Sequence, residues 1–148
     1  TLALARALPQ PPSHIVFELI ETEGVARSPT LAALLTEVRA EGFRIALDDL
    51  ESGFSTLGVL ERLRPDIAKL DQHLVRGAYA DPYRARLVKS FVSLTRDLGI
   101  QLIVEGVETR EDYGFVCDLG IRLAQGYYFG RPSLEPVRTF PFLRGNTW

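Results

Sequence analysis

The sequence predicts an α/β protein in which short buried strands alternate with longer helices, arranged as an incomplete (β/α) barrel of about five units. Apolar runs of strand length recur along the 148 residues, separated by amphipathic stretches of helical length. Each run is nearly continuous in apolar residues, as in parallel strands covered on both faces. Acidic residues gather at the C-terminal ends of successive runs. In a closed parallel barrel these ends converge on one mouth, whereas an open sheet would spread them along a line.

The elements follow in order. Ile15 to Ile20 is the first strand, after a short turn at Pro9 to Pro12. Ser28-Pro29 supplies an N-cap and a first-turn proline for a helix over Thr30 to Glu41, and Gly42 follows its last turn. Arg44 to Leu50 is the second strand; a shorter helix fits between Gly53 and Arg64, and Pro65 ends it. Asp66 to Asp71 is the third strand. Asp81-Pro82 opens a long helix that Gly99 closes, ahead of a fourth strand at Gln101 to Gly106. Thr109 with Asp112 resembles a capping box, Gly120 ends that helix, and Leu123 to Phe129 is the fifth strand. Ser133 to Trp148 is expected to form a terminal helix and tail. No low-complexity linker interrupts the array, so residues 1–148 read as a single domain. A complete barrel needs ~250 residues, so five units are part of one. The absence of methionine agrees with an opening at a cut end.

A net charge of −2 gives no general affinity for DNA or anionic membrane, so a nucleotide ligand would be held locally. The single cysteine, Cys117, excludes an internal disulfide and fits a reducing compartment, the cytoplasm. No apolar run has the length of a membrane span, and no signal peptide is visible.

The chemistry concentrates in four segments. Asp48-Asp49 ends a buried strand, where adjacent side chains point to opposite sides. Two readings stay open for the pair: one Asp in the pocket with the other capping the next helix, or a divalent cation held by one or both. Lys69 lies inside a strand-like segment of a chain with two lysines and fifteen arginines. It either snorkels or forms a buried pair with Asp48, Asp49 or Asp71, or its ammonium enters the mouth to orient water or offset phosphate charge. Glu105 terminates an apolar strand, so its charge needs a metal or a basic partner, whereas Glu108 suits the helix N-terminus at Thr109. Gln125 precedes three aromatics that read more readily as core and cover than as a base-stacking surface. His14, His73 and Cys117 have no partners at ligand spacing. The group of Glu18, Asp48, Asp49, Glu105 and Lys69 offers oxygen donors without His or Cys, which favours Mg²⁺ or Mn²⁺ over Zn²⁺ and phosphate chemistry over other classes.

At this point the chain resembles the EAL-domain cyclic-di-GMP phosphodiesterases. The resemblance runs from Phe17 to Pro132 and rests on Phe-Glu18-Leu-Ile-Glu21, Ala-Leu-Asp48-Asp49-Leu-Glu-Ser-Gly53-Phe-Ser-Thr-Leu57, Arg-Pro-Asp66-Ile-Ala-Lys69-Leu-Asp71, Val-Glu105-Gly-Val-Glu108-Thr and Gln125-Gly-Tyr-Tyr-Phe-Gly-Arg-Pro132, in the family's order. It implies the C-terminal part of a TIM-like barrel that hydrolyses cyclic di-GMP to linear pGpG with Mg²⁺ or Mn²⁺. Such proteins are often dimeric and often carry an upstream sensory or diguanylate-cyclase-like domain.

By position, the resemblance makes Glu18, Asp48, Asp49 and Glu105 metal ligands and Lys69 the contact to the hydrolytic water, with Glu105 also a general base. Glu21 would anchor the loop after Asp49, Asp71 would support Lys69, Glu108 would buttress the ligands, and Gln125 would bind water near the metals. The family's Glu-Ala-Leu and Asn motifs are not in the chain, which is therefore expected to be inactive by itself. Leu50-Glu51-Ser52 replaces the family's Phe-Gly-Thr, and Ile20 replaces a threonine. The rival expectation is a non-catalytic cyclic-di-GMP receptor of the same fold; a metal-dependent barrel lyase or aldolase is the more distant one.

Overall fold

A computed structural model describes residues 2–20, 28–50 and 56–134. Five strands form one parallel sheet: β1 (Val16–Ile20), β2 (Arg44–Leu50), β3 (Ile67–Leu70), β4 (Gln101–Val104) and β5 (Leu123–Ala124). Their spatial order is the chain order, β1-β2-β3-β4-β5. A doubly wound sheet would reverse direction at a switch point, so the unreversed order is that of a barrel wall. The sheet is not closed among the described residues, with β1 and β5 at its edges.

The helices are α1 (Leu2–Arg6), α2 (Pro29–Ala40), α3 (Thr56–Leu63), α4 (Gln72–Val75), α5 (Pro82–Asp97) and α6 (Arg110–Asp118), with 3-10 turns at Pro12–His14 and Ala78–Ala80. Their starts follow the expected capping chemistry. Ser28 accepts from Leu31 N, Asp81 accepts from the amides of Tyr83 and Arg84, and Thr109 and Asp112 form a reciprocal capping box. Arg6, in α1, pairs with Glu37 and Glu41 and ties that helix to the end of α2.

Two apolar clusters fill the space between sheet and helices. One joins Ile45, Leu47 and Ala68 to Leu35 and Val38 of α2 and to Val59, Leu60 and Leu63 of α3. The other joins Leu70 and Val104 to Val75, Val88, Val92 and Val116. Burying each large aliphatic side chain contributes about 1.5–3 kcal/mol, so these clusters dominate the stability of the wall. Strand alternation sends the intervening residues, Asp48, Lys69 and Ile103, to the opposite face. Among the described residues no helix is long and apolar enough to cross a membrane.

The first four predicted strands stand within two residues of their expected ends, but the fifth is shorter. It stops at Ala124 rather than Phe129 because Gly126, at φ 155°, folds the chain against Val107. Val107 N donates to Gln125 O, and Tyr128 N donates to Val107 O. Tyr128 and Phe129 therefore leave the sheet and pack on Tyr113, with ring centroids 5.2 and 5.8 Å away. The terminal helix and tail expected over Ser133 to Trp148 lie almost wholly outside the described residues.

Arg64, just past α3, has φ 43°, a left-handed conformation that L side chains adopt at a cost of about 1–2 kcal/mol. Arg64→Gly is expected to raise the unfolding free energy by about 0.5–1 kcal/mol in urea titrations, because glycine has no Cβ to strain there.

Candidate metal centre

Lys69 sits at the middle of the centre. Its neighbours Ala68 and Leu70 are fully buried on the helix side, so the lysine emerges on the opposite face with its side chain 11% exposed. Its Nζ lies 2.7 Å from Asp48 Oδ1, 2.8 Å from Glu105 Oε1 and 3.7 Å from Glu18 Oε1. The lysine thus faces carboxylates from β1, β2 and the end of β4, and snorkels to water on neither side. Burial works against its charge, but Asp48 and Glu105 outweigh burial and raise its pKa well above the ordinary lysine range. The stabilisation this pairing gives is fully present below the unfolded lysine pKa and is lost only as pH rises through the raised value.

A regular strand would send Asp48 and Asp49 to opposite faces. Instead the β2–β3 register shifts between Leu47 and Leu50, and Asp49 takes φ 56°. This bulge turns Asp49 back, so that carboxylate oxygens of Asp48, Asp49 and Glu105 all lie within 4.8 Å of one another. Both aspartates belong to the cluster, as the cation-holding alternative for the pair expects; the start of the next helix, which the capping alternative concerns, lies outside the described residues. Among the described residues this is the one group of three or more potential ligands. Glu18 is exposed and reaches Lys69 without joining the tight group.

Glu105 is held from the far side. Gln125 Nε2 donates to Glu105 Oε1 at 2.6 Å, tying the end of β4 to the residue after β5. Between them Gly106, at φ 67°, passes so close to Gln72 that a Cβ would overlap the Gln72 Cβ. Glu108 pairs with Arg76, which sequence reasoning did not single out. Asp71, expected to support Lys69, instead caps α4, its carboxylate accepting from His73 N at 2.7 Å, and the ion-pair partners of Lys69 are Glu18, Asp48 and Glu105. Glu21 and Glu51 lie outside the described residues. Glu105, Glu108, Gln125, Tyr127, Phe129 and Arg131 line a cavity of about 680 Å³, where the Arg131 guanidinium lies 4.5 Å from the Tyr127 ring centroid.

Asp112 braces this side of the centre. It is 1% exposed and accepts from Thr109 N, from Thr109 Oγ1 at 2.7 Å and from Gly77 N at 2.9 Å, joining α6 to the segment after α4. Asp112→Ala leaves these donors without their acceptor and is expected to lower the unfolding free energy by about 2 kcal/mol in urea titrations.

The residues fit a hard divalent cation. Asp48 Oδ1 is buried, with the Lys69 ammonium 2.7 Å away as its cationic partner. The donors are all carboxylate oxygens, which such cations prefer.

A parallel barrel wall with clustered carboxylates and one lysine at the carboxyl ends of its strands defines a barrel protein equipped to hold a hard cation. The family model described as EAL domain matches residues 1–132, and the chain belongs to the EAL domain family. Cyclic di-GMP phosphodiesterase RocR of Pseudomonas aeruginosa is 36% identical over 125 residues, covering 84% of this chain and 32% of RocR. The manganese and cyclic-di-GMP complex of Klebsiella pneumoniae BlrP1 at pH 9.0 superposes with a TM-score of 0.78 at 37% identity, covering 87% of this chain and 32% of BlrP1. The blue light- and temperature-regulated antirepressor BluF of Escherichia coli is 28% identical over 126 residues, covering 85% of this chain and 31% of BluF. The chain thus spans about a third of the length of each of these relatives.

Proposed function

We propose that the chain forms the cation-binding wall of a barrel that hydrolyses cyclic di-GMP to linear pGpG. The observation that carries this reading is the convergence of Asp48, Asp49 and Glu105 on one point, with Lys69 bound to two of them. Similarity to proteins named cyclic di-GMP phosphodiesterases, and to a complex with manganese and cyclic di-GMP, supports it.

Asp48, Asp49 and Glu105, with Glu18 beside them, would hold Mg²⁺ or Mn²⁺. The bound ion supplies positive charge that offsets the phosphate and acidifies water at neutral pH. Glu105 accepts the proton of the attacking water, and Gln125 fixes the carboxylate by its hydrogen bond. The Lys69 ammonium orients that water and stabilises charge developing on the phosphate. Water adds at phosphorus, the bond to the 3′ oxygen breaks and that oxygen takes up a proton, so the single linear product, pGpG, carries a 5′-phosphate and a 3′-hydroxyl. Asp71 and Glu108 support the surrounding loops, and the resemblance to the family would give Glu21, outside the described residues, the role of loop anchor. The reading extends to a cytoplasmic homodimer coupled to an upstream sensory or diguanylate-cyclase-like domain. The chain alone contains no Glu-Ala-Leu or paired Asn motif and is expected to bind cation without turnover.

The test is conversion of cyclic di-GMP to pGpG by the intact protein with Mg²⁺ or Mn²⁺. Appearance of pGpG supports the reading; ligand binding without product overturns it. The second reading, a receptor that binds cyclic di-GMP and transmits it to a partner, is favoured by the similarity to a protein named an antirepressor, and binding without product would select it.

A further inference from the structure

We propose that the Lys69 ammonium is a placeholder cation: it holds the carboxylates together while the centre is free of metal and lets go of Asp48 and Glu105 when a divalent cation binds. This inference rests on the metal-centre reading above and assigns Lys69 a role before any substrate is present.

The geometry makes the two cations competitors. Lys69 Nζ contacts Asp48 Oδ1 at 2.7 Å and Glu105 Oε1 at 2.8 Å, and those residues supply two of the three carboxylates within 4.8 Å of one another. A divalent ion would bond such oxygens at about 2.0–2.6 Å. An ammonium already seated on the same oxygens would then face a double positive charge across a single carboxylate. Without any cation the three carboxylates would repel one another at this spacing. The ammonium therefore substitutes for metal in shape and sign.

The residue type suits exchange. The chain uses arginine fifteen times and lysine twice. A guanidinium would grip the carboxylates through a rigid fork, whereas the ammonium is a compact charge on a flexible stem that rotates away. The apparent affinity for a divalent ion consequently includes the cost of displacing Lys69.

Two measurements on the full chain test this. Only Lys69 and Lys89 carry ammonium side chains, and Lys89 is exposed on α5, so nitrogen-15-labelled lysine gives an assignable pair of signals with an internal control. Titration with Ca²⁺, which is diamagnetic, is expected to shift the Lys69 signal saturably and leave Lys89 unmoved. In parallel, calorimetric titration of Lys69→Met is expected to give Ca²⁺ binding at least tenfold tighter than wild type, with a lower melting temperature in the metal-free state. Binding by Lys69→Met where wild type binds none also supports displacement. Calorimetric Ca²⁺ binding with the Lys69 signal unmoved, or weaker binding by the variant, overturns the placeholder role and leaves the metal centre standing. Absence of binding by both proteins overturns the metal centre itself.

Discussion

Glu105→Gln is expected to cut hydrolysis of cyclic di-GMP by the intact protein by at least ~100-fold, and to weaken divalent-cation binding by a similar factor. The substitution keeps the shape of the side chain and removes its charge. Two functions fall together: one of the three clustered carboxylates and one of the charged partners of Lys69, while the amide oxygen of the new glutamine can still accept from Gln125. Because Lys69 retains Asp48 and one acidic neighbour is removed from a crowded group, the fold itself is expected to persist. Product formation measured beside the melting temperature separates the two effects. Lost activity at an unchanged melting temperature is the expected pair of results; full activity would remove Glu105 from the mechanism.

Gly126→Ala is expected to destabilise the chain by about 3 kcal/mol or more, a large share of the 5–15 kcal/mol available to a typical domain. A Cβ at this position would overlap the backbone N, C and O of Val107. Backbone atoms yield less readily than the end of a flexible side chain, and Val107 is fully buried. The same contact carries the hydrogen bonds that turn the chain after Gln125, so the substitution also loosens the partner of Glu105. Urea unfolding measures the first consequence. Reduced cation affinity in the residual folded protein measures the second.

These two positions show what was legible in the sequence. The strands that carry Asp48 and Lys69 and the one that ends just before Glu105 are readable because apolar runs end in acids, and the capping residues Ser28, Asp81 and Thr109 mark helix starts through their side-chain oxygens. The acids and the lysine of the centre were therefore nameable before any geometry. Their arrangement was not. The bulge that turns Asp49 toward Asp48 depends on the pairing of β2 with β3, a long-range register with no local mark in Leu47 to Leu50. The early end of β5 depends on Gly126 meeting Val107, so the apolar run through Phe129 read as strand although tertiary contact bends it. The Arg76 partner of Glu108 lies in the segment after α4, where neither a hydrophobic period nor a motif pointed to it.

Asp48, Asp49 and Glu105 are proposed to form one divalent-cation site. Anomalous diffraction at the manganese edge, from crystals of the protein grown with Mn²⁺, tests it most directly. An anomalous peak is expected within about 2.0–2.6 Å of carboxylate oxygens from these three residues, with Lys69 Nζ withdrawn from Asp48 and Glu105. A centre without a peak at saturating Mn²⁺, with Lys69 still seated on both carboxylates, would contradict it.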